Sequence, residues 1–180
     1  MKVVEAVAHV LESIGAQFAL IGGQAIAVRG YPRMTLDYDF LTSDARVLQA
    51  QTWESLVSNE GASVDTRKGD FDDPIAGVAH IQFPDGVEAD VLLAKWKWEQ
   101  AVIERAEPVD VGGVVVPVPS ASDLILLKLA AGGPIDIQDV IALVALDRER
   151  MFQEVDSKVN SVRPSVSEVW AQLKRSLNDR

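Results

Sequence analysis

The feature of the sequence that most constrains the fold is an apolar run that ends in two glycines, QFALIGG. Residues 17–22 predict a short buried strand, because a brief apolar run bounded by a turn signal is typical of one. After Gly22 and Gly23 the chain favours a short helix over residues 24–29. Residues 35–41 alternate between polar and apolar side chains, which predicts a second strand. This order of elements predicts a mixed α/β fold.

The second predicted strand has an acidic face and an apolar face, because side chains alternate along a strand. The acidic face carries Thr35, Asp37 and Asp39, and the apolar face, which is expected to join the core, carries Leu36, Tyr38 and Phe40. The two aspartate Cα atoms would lie about 7 Å apart, so their carboxylates can converge on a hard cation. Without a cation, repulsion would raise the pKa of one of them. A solvent-facing strand edge would carry the same triplet, and the triplet alone leaves both interpretations open.

The glycine turn gives the region a second potential use. Gly22 and Gly23 can present backbone N–H groups to a phosphate, helped by the N-terminus of the following helix. Two glycines also suit any tight turn, so the pair alone is not specific. The combination is more specific, since thirteen residues separate Gly23 from the Asp37-Tyr38-Asp39 triplet.

The rest of the chain predicts further strands and then a helical part. Strands are expected at residues 63–67, 78–83, 87–93, 108–111 and 114–118. Helices are expected at residues 2–15, 43–59, 95–105, 121–131, 135–147, 149–159 and 165–177. The expected fold class is therefore α/β (α+β), a mixed sheet flanked by helices. Its parts would be an α/β core over residues 1–119 and a helical region over residues 120–180 packed on that core.

Charge and composition limit the function classes. The 180 residues carry a formal net charge of −10, which disfavours general nucleic-acid binding because the long-range field repels phosphate. There are no cysteines, which excludes disulfides and thiolate metal sites. The N-terminal residues lack the pattern of a signal peptide, and no segment reaches the roughly 20 apolar residues of a membrane span. A cytoplasmic protein without a membrane segment is expected.

The combined pattern resembles the nucleotidyltransferase superfamily with the DNA polymerase β-type fold. That superfamily has a hydrophobic residue, Gly, Gly or Ser, a spacer of about this length, and two aspartates that alternate with hydrophobic residues. The segment GYPRMTLDYDF is similar to the Arg-x-Thr-x-Asp-x-Asp form of small bacterial members, which include relatives of the AbiEii-type toxins and other minimal nucleotidyltransferases. The resemblance covers residues 18–42 and, more loosely, residues 80–145.

The resemblance implies a nucleotide site at the glycine turn. Gly22 and Gly23 would hold the triphosphate of an NTP. Arg33 and Thr35, which belong to the same segment, would also bind the nucleotide. Arg33 and Arg29 flank the predicted helix, and each could instead pair with a surface acid.

The resemblance also implies a magnesium site. Asp37 and Asp39 would bind one or two Mg²⁺ ions, and a third carboxylate is expected on a later strand beside them. The stretch GVEADVLL supplies Asp90, which is favoured because small and apolar residues flank it, and Glu88 as the second choice. In the family this third acid binds the metal or deprotonates the attacking hydroxyl group. Asp37, Asp39 and Asp90 are therefore the expected metal ligands and catalytic acids. A polar residue at a strand end is the alternative for Asp90.

A single lysine stands in the apolar helix around residues 124–131. If buried, the ammonium group of Lys128 needs a partner; otherwise it extends to solvent. The segment is similar to a helical motif of small nucleotidyltransferases, a lysine and an alanine followed by an Asp-x-x-Asp helix start. Lys128, Ala131, Asp136 and Asp139 match that motif. The resemblance implies that Lys128 lies near the nucleotide phosphates as a catalytic and nucleotide-binding residue, and that Asp139 orients it.

The chain departs from the family pattern in the link before Asp136. Basic residues often stand there, whereas this chain has Gly133 and Ile135. The loss of a basic pair would weaken phosphate or acceptor binding. It favours a catalytically eroded binding module that acts through a protein partner, whereas the intact acids favour an enzyme.

Two pairs of residues with ring side chains remain, one with an open role and one expected to be structural. Trp96 and Trp98 could stack on a nucleobase, or they could pack in the core or at an interface. His9 and His80 lack neighbouring metal ligands and are expected to be structural.

The expected function is Mg²⁺-dependent transfer of an NMP from an NTP to a hydroxyl group of an acceptor. A tRNA 3′ end, a protein side chain and a small antibiotic are all open as acceptors. The resemblance to AbiEii-type proteins also suggests a toxin of a toxin–antitoxin pair, in which case an antitoxin or another protein would be its partner. The alternative is the eroded binding module.

Overall fold

The computed structural model describes residues 2–178 and contains, within them, eight α-helices and seven β-strands. The strands are β1 (Phe18–Ile21), β2 (Tyr38–Thr42), β3 (Ser63–Lys68), β4 (Gly77–Gln82), β5 (Glu88–Leu93), β6 (Glu107–Asp110) and β7 (Val115–Val118). The helices are α1 (Val3–Ser13), α2 (Gly22–Val28), α3 (Glu54–Glu60), α4 (Lys97–Glu104), α5 (Ala121–Ala131), α6 (Pro134–Leu146), α7 (Arg148–Lys158) and α8 (Pro164–Asn178). No helix within residues 2–178 is long and apolar enough to cross a membrane.

The main sheet has five strands in the order β1-β2-β5-β4-β3. Strands β2 and β5 are parallel, and the other neighbouring pairs are antiparallel. Strands β6 and β7 form a separate antiparallel hairpin, after which the described chain is helical. The predicted α/β fold class, a mixed sheet flanked by helices with a helical C-terminal part, is confirmed.

Strand β2 is shorter than predicted, and this changes the faces assigned to its residues. It begins at Tyr38, so Thr35 and Asp37 lie in the extended segment before it. The ladder stops there because Ile21, the last residue of β1, pairs with Asp39, after which the chain turns into α2. The prediction that Leu36 joins the core is wrong, since the residue is 76% exposed.

The predicted helix over residues 43–59 is also wrong in its first half. The chain forms two short 3₁₀ turns, Ala45–Leu48 and Ala50–Trp53, before α3 begins. Trp53 is fully buried, and its indole N–H donates a 2.8 Å hydrogen bond to the carbonyl oxygen of Val47. The two turns place this large ring in the core. A continuous helix over the same residues would displace the ring.

A buried ion-pair network fastens the helical part together. Asp123, in the first turn of α5, is 1% exposed and accepts hydrogen bonds from Arg105 at 2.7 Å and from Ser120 at 2.9 Å. Lys158, at the end of α7, lies 3.3 Å from the same carboxylate. Burial acts to raise the pKa of Asp123, but its hydrogen bonds and the charges of Arg105 and Lys158 outweigh burial and lower that pKa.

We expect Asp123→Asn to destabilise the protein at neutral pH by about 3 kcal/mol, because it breaks a buried charge pair. In a chain of this size that loss lowers the melting temperature by roughly 6–12 °C. An aspartate with a lowered folded-state pKa stabilises above its unfolded-state pKa, and this contribution is lost as the pH falls through the folded-state pKa. The difference in stability between variant and wild type should therefore shrink below about pH 4.

Melting curves recorded from pH 7 to pH 3 would measure both effects. Asp72→Asn, which changes an exposed loop aspartate, is the matched control and should follow the wild type throughout. A difference that stays constant across this range would contradict the charge-based explanation.

Candidate active site

Four titratable side chains lie in one row across the sheet. Asp39 on β2 pairs with Asp90 on the parallel strand β5. Asp90 pairs with His80 on β4, and His80 pairs with Asp65 on β3. Directly paired residues point to the same face of a sheet. The register therefore places Asp90 on the same face as Asp39 and beside it, where the third acid was expected.

His80 holds the carboxylate of Asp90. The imidazole Nδ1 lies 2.6 Å from Asp90 Oδ1, and the Nε2 lies 4.0 Å from the carboxylate of Glu88. The hydrogen bond to Asp90 raises the pKa of His80, with smaller contributions from the charges of Asp90, Glu88 and Asp65. His80 was expected to be structural, and in the structure it contacts a candidate catalytic acid. Sequence reasoning missed this contact because only the strand register brings the two residues together.

The glycine turn packs directly against the acidic strand. Gly22 has a φ of +66°, and a Cβ atom built on it would lie 2.7 Å from Asp39 Cγ and overlap Oδ2. A Cβ atom on Gly23 would lie 2.8 Å from the Cβ of Thr35. Both glycines are therefore required by close approach, Gly22 also by its backbone conformation. The turn brings the N-terminal end of α2 against the carboxylate of Asp39.

Asp39 has a carboxylate whose pKa is raised above its ordinary value. Burial raises its pKa most, and the nearby charge of Asp90 raises it further, as does that of Asp37. Lys128 and Arg33 act in the opposite direction without cancelling these effects. Within residues 2–178 the side chain of Asp39 makes no hydrogen bond or ion pair. It is a half-buried acid whose negative charge lacks a direct partner.

Asp37 stands apart from the other two acids. It is exposed and precedes β2, and within residues 2–178 no three His, Asp or Glu side chains are grouped so that they could hold a metal ion together. The predicted shared strand face of Thr35, Asp37 and Asp39 is therefore corrected to the pair of Asp39 and Asp90. That pair offers hard oxygen donors, and the charge of Asp39 lacks a direct partner, which suits a divalent cation. A metal role for all three acids stays a prediction.

A second charged cluster lies beside the acids. The Lys128 ammonium group lies 2.7 Å from Asp136 Oδ1 and 3.2 Å from Asp139 Oδ2. Arg33 donates two hydrogen bonds to Asp139, at 2.8 Å and 3.1 Å. Asp139 is 1% exposed, so its charge needs partners, and Arg33 and Lys128 are the two cations that pair with it. Two cations and two anions leave this cluster close to neutral as a whole.

One member of the strand acids, Asp39, and two members of the charged cluster, Lys128 and Asp136, line one cavity of about 510 Å³. Its polar end contains Gly22, Asp39, Lys128 and Asp136. From there it runs along the sheet to an apolar end that includes Trp96 and Trp98. The structure thus joins the glycine turn, a strand acid and the α5 lysine, which are far apart in sequence, on a single concave site.

The chain matches the model of a protein family described as "Nucleotidyltransferase of unknown function (DUF6036)" over residues 1–151. The chain belongs to this family. It is a nucleotidyltransferase, and the resemblance inferred from its glycine turn and Asp-Tyr-Asp triplet is confirmed at the level of family and fold. A comparison with curated proteins gave no match.

Solved structures support the same fold. ANT(2″)-Ia in complex with adenylyl-2″-tobramycin superposes with a TM-score of 0.57 at 20% identity, covering 86% of this chain and 93% of that one. The solution structure of the antibiotic-resistance factor ANT(2″)-Ia also gives a TM-score of 0.57, at 16% identity, covering 98% of this chain and 96% of that one. The lincomycin-bound lincosamide antibiotic adenylyltransferase LnuA gives a TM-score of 0.50 at 12% identity, covering 78% and 93%.

The remaining candidates of this nucleotidyltransferase do not line the cavity. Asp90, Gly23, Thr35, Arg33 and Asp139 adjoin residues that do, through the strand pairing, the glycine turn and the charged cluster, and Asp37 lies in the exposed segment before β2. Arg29 donates hydrogen bonds to the carbonyl oxygens of Val118, at 2.6 Å, and Pro119, at 2.7 Å, so it fastens α2 to the end of the β6–β7 hairpin. His9 is exposed on α1. Glu88 accepts a hydrogen bond from a neighbouring glutamine at 3.2 Å and lies at the rim of the sheet.

We expect Gly22→Ala to destabilise this nucleotidyltransferase more than Gly15→Ala does. The two glycines have nearly the same φ, +66° and +67°, but a Cβ atom on Gly15 would meet nothing within 4 Å. Gly15→Ala therefore isolates the backbone cost, about 1–2 kcal/mol. Gly22→Ala adds the displacement of the Asp39 side chain, for a further loss of about 1–3 kcal/mol. Urea unfolding would measure both; equal losses would show that Asp39 does not constrain the turn.

Proposed function

We propose that this nucleotidyltransferase transfers an NMP from an NTP to a hydroxyl group of an acceptor, with Mg²⁺ bound by Asp39 and Asp90 and completed by Asp37. The observation that carries the proposal is the paired position of Asp39 and Asp90 on neighbouring strands, with Gly22 packed against Asp39. His80 holds Asp90, but within residues 2–178 Asp39 has no direct partner beside it, and a cation would supply one.

The chain's own residues divide the work of binding the nucleotide. The backbone N–H groups at Gly22 and Gly23 would receive the phosphates at the start of α2. Lys128 would exchange part of its pairing with Asp136 for a phosphate oxygen. Asp139, buried and also held by Arg33, would keep the lysine in place during that exchange. The nucleotide role of Thr35 is proposed because its side chain packs on Gly23.

The acceptor hydroxyl group would be deprotonated at Asp90, whose carboxylate His80 holds through the 2.6 Å hydrogen bond. Bound Mg²⁺ would supply charge neutralisation for the phosphates and lower the pKa of the acceptor hydroxyl group. The oxygen then bonds to the α-phosphorus of the NTP, the bond to the bridging oxygen breaks, and pyrophosphate leaves with the electron pair.

The catalytically eroded binding module is the second candidate, and one observation favours it. Lys128 and Arg33 are both paired with acids, and the link before α6 carries Gly133 and Ile135 without a basic residue. A module of this kind would act through a protein partner. A toxin role with an antitoxin partner remains a proposal, which growth arrest on expression would support.

We expect an NTP with Mg²⁺ to raise the melting temperature by roughly 5–10 °C at a hundredfold excess over Kd. Metal and nucleotide should act together, because each supplies ligands to the other. Asp39→Asn should abolish this joint shift, since it removes the carboxylate that lies against the glycine turn. Glu12→Gln, which removes one exposed carboxylate from α1, is the charge-matched control and should keep the shift.

Thermal melting with each of the four NTPs, with and without Mg²⁺, would also reveal the base preference. Tobramycin, whose adenylyl derivative is bound in one solved neighbour, and lincomycin, which is bound in another, are the first acceptors to test with labelled NTP. A flat response to every NTP in wild type and variant alike would sink the proposed transfer and favour the binding module.

We expect Lys128→Met to weaken nucleotide binding by about tenfold or more, because a charge-assisted hydrogen bond to phosphate is lost. The fold should persist, since Asp139 keeps both hydrogen bonds from Arg33. Lys97→Met, at an exposed lysine on α4, is the control. Titration of the MgATP-dependent melting shift would compare the three proteins, and unchanged affinity in Lys128→Met would exclude a nucleotide role for this lysine.

A further inference from the structure

The apolar end of the cavity lies beyond the residues that the transfer reaction uses. We propose that it binds the acceptor, and that the acceptor is a small molecule with a hydroxyl group on an apolar, largely uncharged body. The acceptor role rests on the proposed function, whereas the class of ligand rests on the walls of the cavity itself.

The walls beyond Asp39 are almost wholly aliphatic and aromatic. Leu41 and Leu92 form the floor, each two residues further along its strand from Asp39 and Asp90. Helix α5 supplies one side with Leu124, Leu127 and Ala130. The volume of about 510 Å³ falls within the range for a drug-sized ligand. An extended polymer does not fit such a space, but a compact apolar molecule does.

Two charged groups line the apolar end, and the acid among them is already satisfied by the backbone. Glu99 is 6% exposed, and its carboxylate accepts hydrogen bonds from the backbone N–H groups of Lys95, at 2.7 Å, and Trp96, at 2.9 Å. Arg163 donates to the carbonyl oxygen of Ala130. Burial raises the pKa of Glu99, which further reduces its value as an anion.

A polycationic acceptor would need several unpaired acids, but this cavity offers few. Asp136 is paired with Lys128 and also accepts a hydrogen bond from the Gly133 N–H group at 3.0 Å. Asp39 is the lining acid without such a partner within residues 2–178, and the transfer reaction uses it. The balance of the walls therefore favours an uncharged body over an amino sugar with many ammonium groups.

The roof of the cavity is a loop fastened by one lysine. Pro74 and Ile75 of the segment between β3 and β4 line the cavity. The Lys95 ammonium group donates to the carbonyl oxygens of Phe71 and Asp73, at 2.6 Å each. This attachment holds the segment that carries Pro74 and Ile75 in place, so these two apolar residues form part of the cavity wall.

Calorimetric titration with 2-(2-naphthyl)ethanol, an apolar alcohol, would test the ligand class in the full-length protein. We expect one binding site with a negative heat-capacity change, as for burial of apolar surface. Tobramycin, a polycation, should bind far more weakly at physiological ionic strength. Ala130→Phe, which places a ring at the cavity wall, should weaken naphthylethanol binding by about tenfold or more.

Two further variants keep the test decisive. Trp96→Ala removes an exposed ring from the apolar end of the cavity and should also weaken binding, even if Ala130→Phe fails to fold. Ala145→Phe changes an exposed alanine of α6 that does not line the cavity, and it should bind like the wild type. Naphthylethanol affinity that is the same in all variants, or weaker than tobramycin affinity, would overturn the proposal.

The same proteins separate the acceptor from the nucleobase. If the apolar end binds the acceptor, the Trp96→Ala variant keeps the MgATP-dependent melting shift while naphthylethanol binding weakens. Loss of both would assign the apolar end to the nucleobase and overturn the acceptor role. A wild type that binds naphthylethanol but shows no MgATP shift would defeat the transfer reaction and leave the ligand class supported.

Discussion

The contact between Gly22 and the Asp39 side chain is the constraint on which the site depends. It exists because β1 and β2 are paired up to Ile21 and Asp39, so the first residue after β1 must pass over the carboxylate. A side chain at Gly22 would occupy the space of that carboxylate. The turn, the start of α2 and the acid are therefore fixed as one unit, and the proposed nucleotide site would take its geometry from the strand register.

The sequence was sufficient to predict the class of the fold and to place the glycine turn and Asp39 in one candidate site. Period-two and period-three-to-four patterns located most strands and helices, and the glycine turn followed by the Asp37-Tyr38-Asp39 triplet carried the resemblance to nucleotidyltransferases. The pattern could not show where the β1–β2 ladder ends, so Asp37 and Leu36 were assigned to a strand that starts only at Tyr38. The contact of His80 with Asp90 depends on the register in which β4 pairs with β5. The sequence alone does not give that register.

One cluster holds two cations beside the cavity without an overall positive charge, because two acids pair with them. Its members are Lys128, Arg33, Asp136 and Asp139. A buried carboxylate such as Asp139 is costly unless it is paired, and here two cations share it. The proposed transfer needs Lys128 to be movable and Asp139 to remain satisfied. The two hydrogen bonds from Arg33 meet both needs, because they persist when the lysine turns toward a phosphate.

The two paired strands also set a distance that any acceptor must match. Along β2 the same face changes from Asp39 to Leu41, and along β5 it changes from Asp90 to Leu92. Two residues of strand correspond to about 7 Å. An acceptor that uses both regions must therefore carry its hydroxyl group about that distance from the centre of its apolar body. Long flexible chains lose entropy in meeting this requirement, so rigid, compact alcohols are favoured over them.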